Sequence, residues 1–222
     1  MQTKIITRQL SVIAASLAGA AVLSGCIAAP LIVGGAAATT ASVATDRRTA
    51  GTIVSDEVVE KRLSYEIDQV LGKAPHHITV TAYEGKVLLS GETTSLESRS
   101  QAEQTAMKSL DVTGVVNEIA VMDPASVTTR FSDSLLATKV RTSIIGNGKI
   151  SLNQMKVVVE RGIVYLMGLV TAEEAQNAAH TASMVSGVQK VVTCFTIATA
   201  EEIAERMKNV ESSKTESTDA AE

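Results

Sequence analysis

The chain has no tryptophan, two phenylalanines, three tyrosines, three prolines and two cysteines in 222 residues. With so few aromatics, any core must be built from Val, Ile, Leu, Ala and Met. Two cysteines are too few for the bridged scaffold of a small secreted domain. Positive charge is also scarce: 20 basic residues face 24 acidic ones, a net charge of −4 that argues against a nucleic-acid partner. The catalytic signatures are missing as well. There is no G-x-S-x-G elbow, and the GNGK stretch at Gly146 to Lys149 lacks the helix start of a phosphate loop. His76 and His77 are adjacent, so their side chains diverge, and His180 stands alone on a helix. No ligand spacing emerges, and no metal or other cofactor is expected.

Long apolar runs are limited to one. Leu10 to Leu23, behind Lys4 and Arg8, has the charged n-region and apolar h-region of a secretory signal. It is short for a span, which takes about 20 apolar residues. Leu23-Ser24-Gly25-Cys26 then resembles the lipobox of bacterial lipoproteins at all four positions. That resemblance implies a diacylglyceryl group on the Cys26 sulfur, palmitate on the new N-terminus, and cleavage after residue 25. One acyl chain binds a bilayer only marginally, so stable attachment needs two or more. Ile27 follows the cysteine in place of the aspartate that usually retains such proteins at the inner membrane. The resemblance therefore implies the outer membrane, with the chain facing the periplasm. Loss of Lys4 and Arg8 takes the 20 basic residues to 18 against 24 acidic, a net charge of −6. With Cys26 lipidated, Cys194 is left as a buried strand thiol.

Residues 26–54 are rich in Ala, Gly, Thr and Ser without a sustained period, and are expected to be a flexible tether. Residues 199–210 suit a short helix, and 211–222 a disordered tail. Between them the chain repeats itself. A shift of 77 positions lays Val80-Thr81-Ala82-Tyr83-Glu84-Gly85 over Val157-Val158-Val159-Glu160-Arg161-Gly162, and Gly91 over Gly168. Ser55-Asp56 falls on Ser132-Asp133, Thr94 on Thr171 and Met107 on Met184; after a one-residue slip, VTGVVNEIAV falls on VQKVVTCFTI.

Each copy predicts helix, strand, strand, helix, strand. Val59, Leu63 and Ile67, like Leu136, Val140 and Ile144, recur every four residues behind a Ser-Asp suited to capping. Glycine at Gly85 and Gly162 supplies the positive φ of a tight hairpin turn. The second helix is expected to turn Ala102 and Met107, or Ala179 and Met184, inward. A last strand over 115–122 or 188–198 closes the unit. The fold class is α+β: two tandem αββαβ domains at 55–122 and 132–198, each with two helices on a three-stranded mixed sheet, joined by a linker at 123–131.

This order, the doubled hairpin glycines and the GV..VV start of the last strand resemble the BON domain. With the lipobox, ATDRRTAGT, VTAYEGKVLLSG, VYLMGLVTAEEA and SMVSGVQKVVTCFT, the whole chain up to its tail resembles the dual-BON outer-membrane lipoproteins. The resemblance implies a non-enzymatic protein that binds anionic phospholipid through its second domain and supports envelope integrity, partly at division sites. It also implies links to outer-membrane protein assembly and to septal amidase regulation. An alternative role is therefore a periplasmic adaptor between proteins.

Charge favours the second copy as the membrane face. Residues 55–68 carry Asp56, Glu57, Glu60, Glu66 and Asp68 against Lys61 and Arg62, a net of −3; residues 132–145 carry Asp133 against Lys139 and Arg141, a net of +1. Anionic headgroups attract basic residues at about 1 kcal/mol each. At about 100° per residue, Leu135 and Ile145 point away from the core line, between Lys139 and Arg141. These four are the candidate lipid contacts, and the resemblance adds Gly168 and Val170. Family members can carry a bulky aromatic where this chain has Leu135, which implies shallower insertion here.

Overall fold

The computed structural model describes residues 46–219, with side chains to Ser212. The signal, Cys26 and the tether up to residue 45 lie outside the described residues.

The first helix, α1 (Ala50–Leu71), is capped by Thr49, whose hydroxyl accepts from Thr52 N at 3.1 Å. It buries Val59, Leu63 and Ile67 as the four-residue spacing predicts. Strands β1 (His76–Tyr83) and β2 (Lys86–Thr93) pair antiparallel. Between them Glu84 and Gly85 both have positive φ, 51° and 75°, as a two-residue turn matched to strand twist requires. Helix α2 (Leu96–Lys108) follows, and β3 (Gly114–Asn117) and β4 (Ala120–Val121) run parallel to β2, giving the order β1-β2-β3. The second domain repeats the plan: α3 (Val127–Asn147), β5 (Met155–Glu160), β6 (Ile163–Val170), α4 (Ala172–Ser183), β7 (Lys190–Thr193) and β8 (Thr196–Ile197). The register is conserved between copies, with Val80 opposite Leu89 and Val157 opposite Leu166. Helix α5 (Ala200–Asp219) ends the described chain.

Several boundaries differ from those expected. Helices α1 and α3 begin five residues before 55 and 132, at Ala50 and Val127, with Thr49 and Ser126 as their caps. Residues 50–54, expected as tether, and 127–131, expected as linker, are helical. Ser55-Asp56 and Ser132-Asp133 therefore lie within helices and cap nothing. The closing strand is two short pieces in each domain. Met107 and Met184 are 59% and 74% exposed; the inner faces of the second helices carry Ala102 and Ala106, and Ala178 and Ala182, with Ala179 half-buried. The reason is a shift in frame. The caps of α2 and α4 are Ser95 and Thr171, so the one-residue slip falls at the end of β2, ahead of the helix. Helix α5 runs past Val210 into the expected tail.

Alternation accounts for the domain cores and, on the opposite sheet faces, for their union. On β2, Val87 and Leu89 pack under the helices of domain 1; on β6, Val164, Leu166 and Val170 do so in domain 2. The intervening residues Leu88, Tyr165, Met167 and Leu169 join Tyr83 and Cys194 in a third apolar cluster drawn from both sheets. Both faces of β2 and β6 are thus buried.

Residues expected to be tether reinforce this union. Arg47 donates to Leu169 O at 2.7 Å and forks onto Glu174 at 2.8 Å and 2.8 Å, holding that carboxyl below the usual range. Glu174 also caps α4, accepting from Thr171 N. Burial disfavours charge on Arg48, but Asp46 and Asp56 outweigh it and raise its pKa; its guanidinium stacks 4.2 Å from the Tyr83 ring.

Gly91 and Gly168 face backbone. A Cβ at Gly168 would strike Gln154 O and Met155 Cα inside van der Waals separation, and one at Gly91 would strike His77 O, where φ is also +104°. Gly168→Ala is expected to cost about 1–3 kcal/mol of overpacking, and Gly91→Ala more. Urea unfolding midpoints check the ranking.

Candidate membrane-facing site

Helix α3 divides by spacing alone. Asp133, Leu136, Ala137, Val140 and Ile144 are buried. Val127, Phe131, Leu135 and Ile145 are 74%, 64%, 51% and 62% exposed. With Thr138 and Thr142, also exposed, they fall within roughly 80° of arc. Lys139 flanks this stripe on one side, and Arg130 and Arg141 flank it on the other. Arg141 donates to Val157 O at 2.6 Å, which fixes its stem along β5. Lys139 and Leu135 border an open groove with Thr128, Thr129 and Ser132.

The structure therefore brings Leu135, Lys139, Arg141 and Ile145 to one surface. It does not bring Gly168 and Val170 there. Val170 is fully buried in the domain 2 core, and Gly168 lies inside β6 against the Gln154 and Met155 backbone. Neither side of that strand is open, because helices cover one face and domain 1 the other. Phe131, Val127 and Arg130 join the site from a stretch read as linker. Ser126, two residues after Pro124, was the available signal, since it can cap a helix that carries the four-residue spacing back to Phe131 and Val127.

What holds α3 in place is Asp133. Its two carboxylate oxygens accept from Arg161 N at 2.8 Å and Gly162 N at 2.9 Å, so the helix clamps the β5–β6 turn. Asp56 makes the same pair of bonds to Glu84 N and Gly85 N at 2.9 Å and 3.0 Å.

Beside this clamp lies a buried carboxylate group. Burial pushes Glu160 up, as do Glu92 and Asp133; the hydroxyl of Thr79, at 2.7 Å, and Arg130 oppose this. Glu92 is tied to Arg161 Nε at 2.6 Å and to Ala125 N at 3.2 Å. A carboxyl whose pKa is raised by folding favours the folded state most when protonated, and that contribution is lost as pH rises through the folded value. Glu160→Gln, which can still accept from Thr79, is expected to be more stable than the parent at neutral pH. The difference should close as pH falls below the raised value, and urea titrations across pH measure it.

The histidines have separate partners. His76 bonds Ala74 O and Asp68, and His77 meets Arg130. Among the described residues, no three His, Cys, Asp or Glu side chains could share a metal ion. Cys194 is buried at the break between β7 and β8, and burial raises its pKa. No described helix is long and apolar enough to cross a membrane.

Two αββαβ units with conserved register, one of them carrying an exposed cation-flanked stripe, define a tandem-repeat α+β protein. The BON domain pattern matches residues 55–123 and 132–199, and the chain belongs to the BON-domain family. Within it the chain is similar to the outer membrane lipoprotein DolP of Haemophilus influenzae, 37% identical over 82% of this chain and 93% of that protein. It is also similar to a 21 kDa hemolysin of Actinobacillus pleuropneumoniae, 34% identical over 66% of this chain and 76% of that one. It is thus a dual-BON protein of the DolP type. Among solved structures, CdsD, a structural protein of the type III secretion system of Chlamydia trachomatis, overlaps 65% of this chain and 96% of its own at 11% identity, but its TM-score of 0.29 carries no argument.

Proposed function

We propose that this protein is a non-enzymatic outer-membrane lipoprotein, anchored through Cys26 and facing the periplasm, that binds anionic phospholipid through α3 and supports envelope integrity, including at division sites. One observation carries the reading: α3 holds four exposed apolar side chains between cations and is net basic, whereas α1, with Val54 and Val58 at the positions of Phe131 and Leu135, is net acidic. Over their full lengths α3 carries Arg130, Lys139 and Arg141 against Asp133, a net of +2, and α1 carries two basic against five acidic residues, a net of −3. Apolar residues that embed at the headgroup boundary and cations that meet phosphate are the two parts of an interfacial helix.

Flotation tests it. The protein should rise with phosphatidylglycerol vesicles at low salt, less so at high salt, and not with phosphatidylcholine; equal flotation with both would contradict the reading. The anchor has its own test. Cys26→Ser should leave an unprocessed or soluble chain, and unchanged outer-membrane fractionation would exclude lipidation.

A further inference from the structure

The hydroxyls on the outer side of α3 are turned back on their own helix. Thr138 Oγ1 donates to Ser134 O at 3.0 Å and Thr142 Oγ1 to Thr138 O at 3.0 Å, while Ser132 and Ser134 donate to Thr128 O and Arg130 O at 3.1 Å and 3.0 Å. Both threonines are exposed. A hydroxyl bonded to the carbonyl four residues back needs no partner from outside the helix. Taking a hydroxyl out of water is costly when its bond is lost and much less so when the bond is kept. Thr138 and Thr142 can thus leave water with their donors already occupied, and the methyl is the group each has left to offer.

Their place on the helix gives this a use. Phe131, Leu135, Thr138, Thr142 and Ile145 follow one another at steps of four, three, four and three, a line about 21 Å long at 1.5 Å per residue. No charge lies in it. Arg130, Lys139 and Arg141 stand beside it, and the single acid of α3, Asp133, is buried on the turn amides. In α1 the same line is broken, since exposed Lys61 stands at the repeat position of Thr138, ahead of Tyr65 at that of Thr142. We propose that Thr138 and Thr142 are acyl-contact residues. They join Phe131 and Leu135 to Ile145 in one strip that embeds at the headgroup boundary of an anionic leaflet, with α3 lying in its plane. The proposal rests on the lipid-binding reading and adds to it the state of the two threonines, with methyls in the apolar layer and hydroxyls on the helix rather than on a headgroup.

Changing one substituent at a time tests this. Thr138→Val with Thr142→Val keeps the shape and turns each hydroxyl into a methyl; Thr138→Ser with Thr142→Ser keeps each hydroxyl and its bond and removes the methyl. Affinities come from flotation of the full chain, prepared without acyl groups, over a titration of phosphatidylglycerol vesicles, with circular dichroism to check folding. The valine pair should bind more tightly than the parent and the serine pair less tightly, by about fourfold per residue, the effect of one buried carbon. The reverse order, with valine weaker and serine equal to the parent, would put the hydroxyls on headgroups and overturn the proposal, while loss of flotation in Leu135→Glu would still uphold α3 as the lipid face. Equal binding by both pairs and the parent would leave the line to a protein partner and overturn it as well. A parent that fails to float, or Leu135→Glu that floats as well as the parent, removes the lipid reading and the proposal together.

Discussion

Asp133→Ala should lower the stability of domain 2 by roughly 2–4 kcal/mol, since it leaves the buried Gly162 amide and the partly buried Arg161 amide without an acceptor, at about 1–3 kcal/mol for a fully buried group and less for the other. Asp133 is 6% exposed, so little water can replace the lost bonds. Asp133→Asn keeps one acceptor oxygen and should lose about half as much. Asp56→Ala should cost more than its counterpart, because Asp56 also pairs with Arg48 at 2.9 Å. Its loss leaves that buried guanidinium with Asp46 alone and loosens the stack on Tyr83, which belongs to the cluster joining the two sheets. Urea unfolding of the three variants should rank Asp56→Ala, Asp133→Ala, Asp133→Asn from most to least destabilised. Equal midpoints for all three and the parent would mean that the clamps contribute nothing.

Lys139→Glu should weaken binding to phosphatidylglycerol vesicles about 30-fold. The change reverses one charge, two units at about 1 kcal/mol each near the surface, and every 1.4 kcal/mol is tenfold in affinity. Leu135→Glu should weaken it at least as much, because an embedded aliphatic becomes a carboxylate facing phosphate. Phe131→Ala should also reduce binding through lost apolar burial alone, and its effect should persist at high salt where that of Lys139→Glu fades. All three side chains are exposed, so folding should be unaffected. Flotation across a lipid titration gives each value. The equivalent change in domain 1, Val58→Glu, should leave vesicle binding intact.

Much of this arrangement is local and therefore readable from residue order. The inner faces of α1 and α3 follow from four-residue spacing, and the hairpins from glycine at Gly85 and Gly162. The domain pair follows from the 77-residue repeat, and the exposed pair Leu135 and Ile145 from helical angle. What escaped depends on contacts distant in sequence. Asp133 looks like a cap because nothing local shows that its carboxylate meets a turn 28 residues on. Arg47 looks like tether because its partners are Leu169 and Glu174, 122 and 127 residues away. Val170 and Gly168 come from resemblance alone, and alternation along β6 offers no check on them, because it does not say that helices bury one face while a second sheet buries the other. Phe131 was lost to a boundary: a helix started at residue 132 excludes it, although Ser126 offers a cap that includes it.

The asymmetry between the two first helices can be read one residue at a time. Amide NMR with anionic phosphatidylglycerol micelles bearing a paramagnetic label should broaden Phe131, Leu135, Thr138, Thr142 and Ile145 together. Their counterparts on α1, Val54, Val58 and Tyr65, should stay sharp. Broadening centred on α1, or spread evenly over both domains, would contradict α3 as the membrane face.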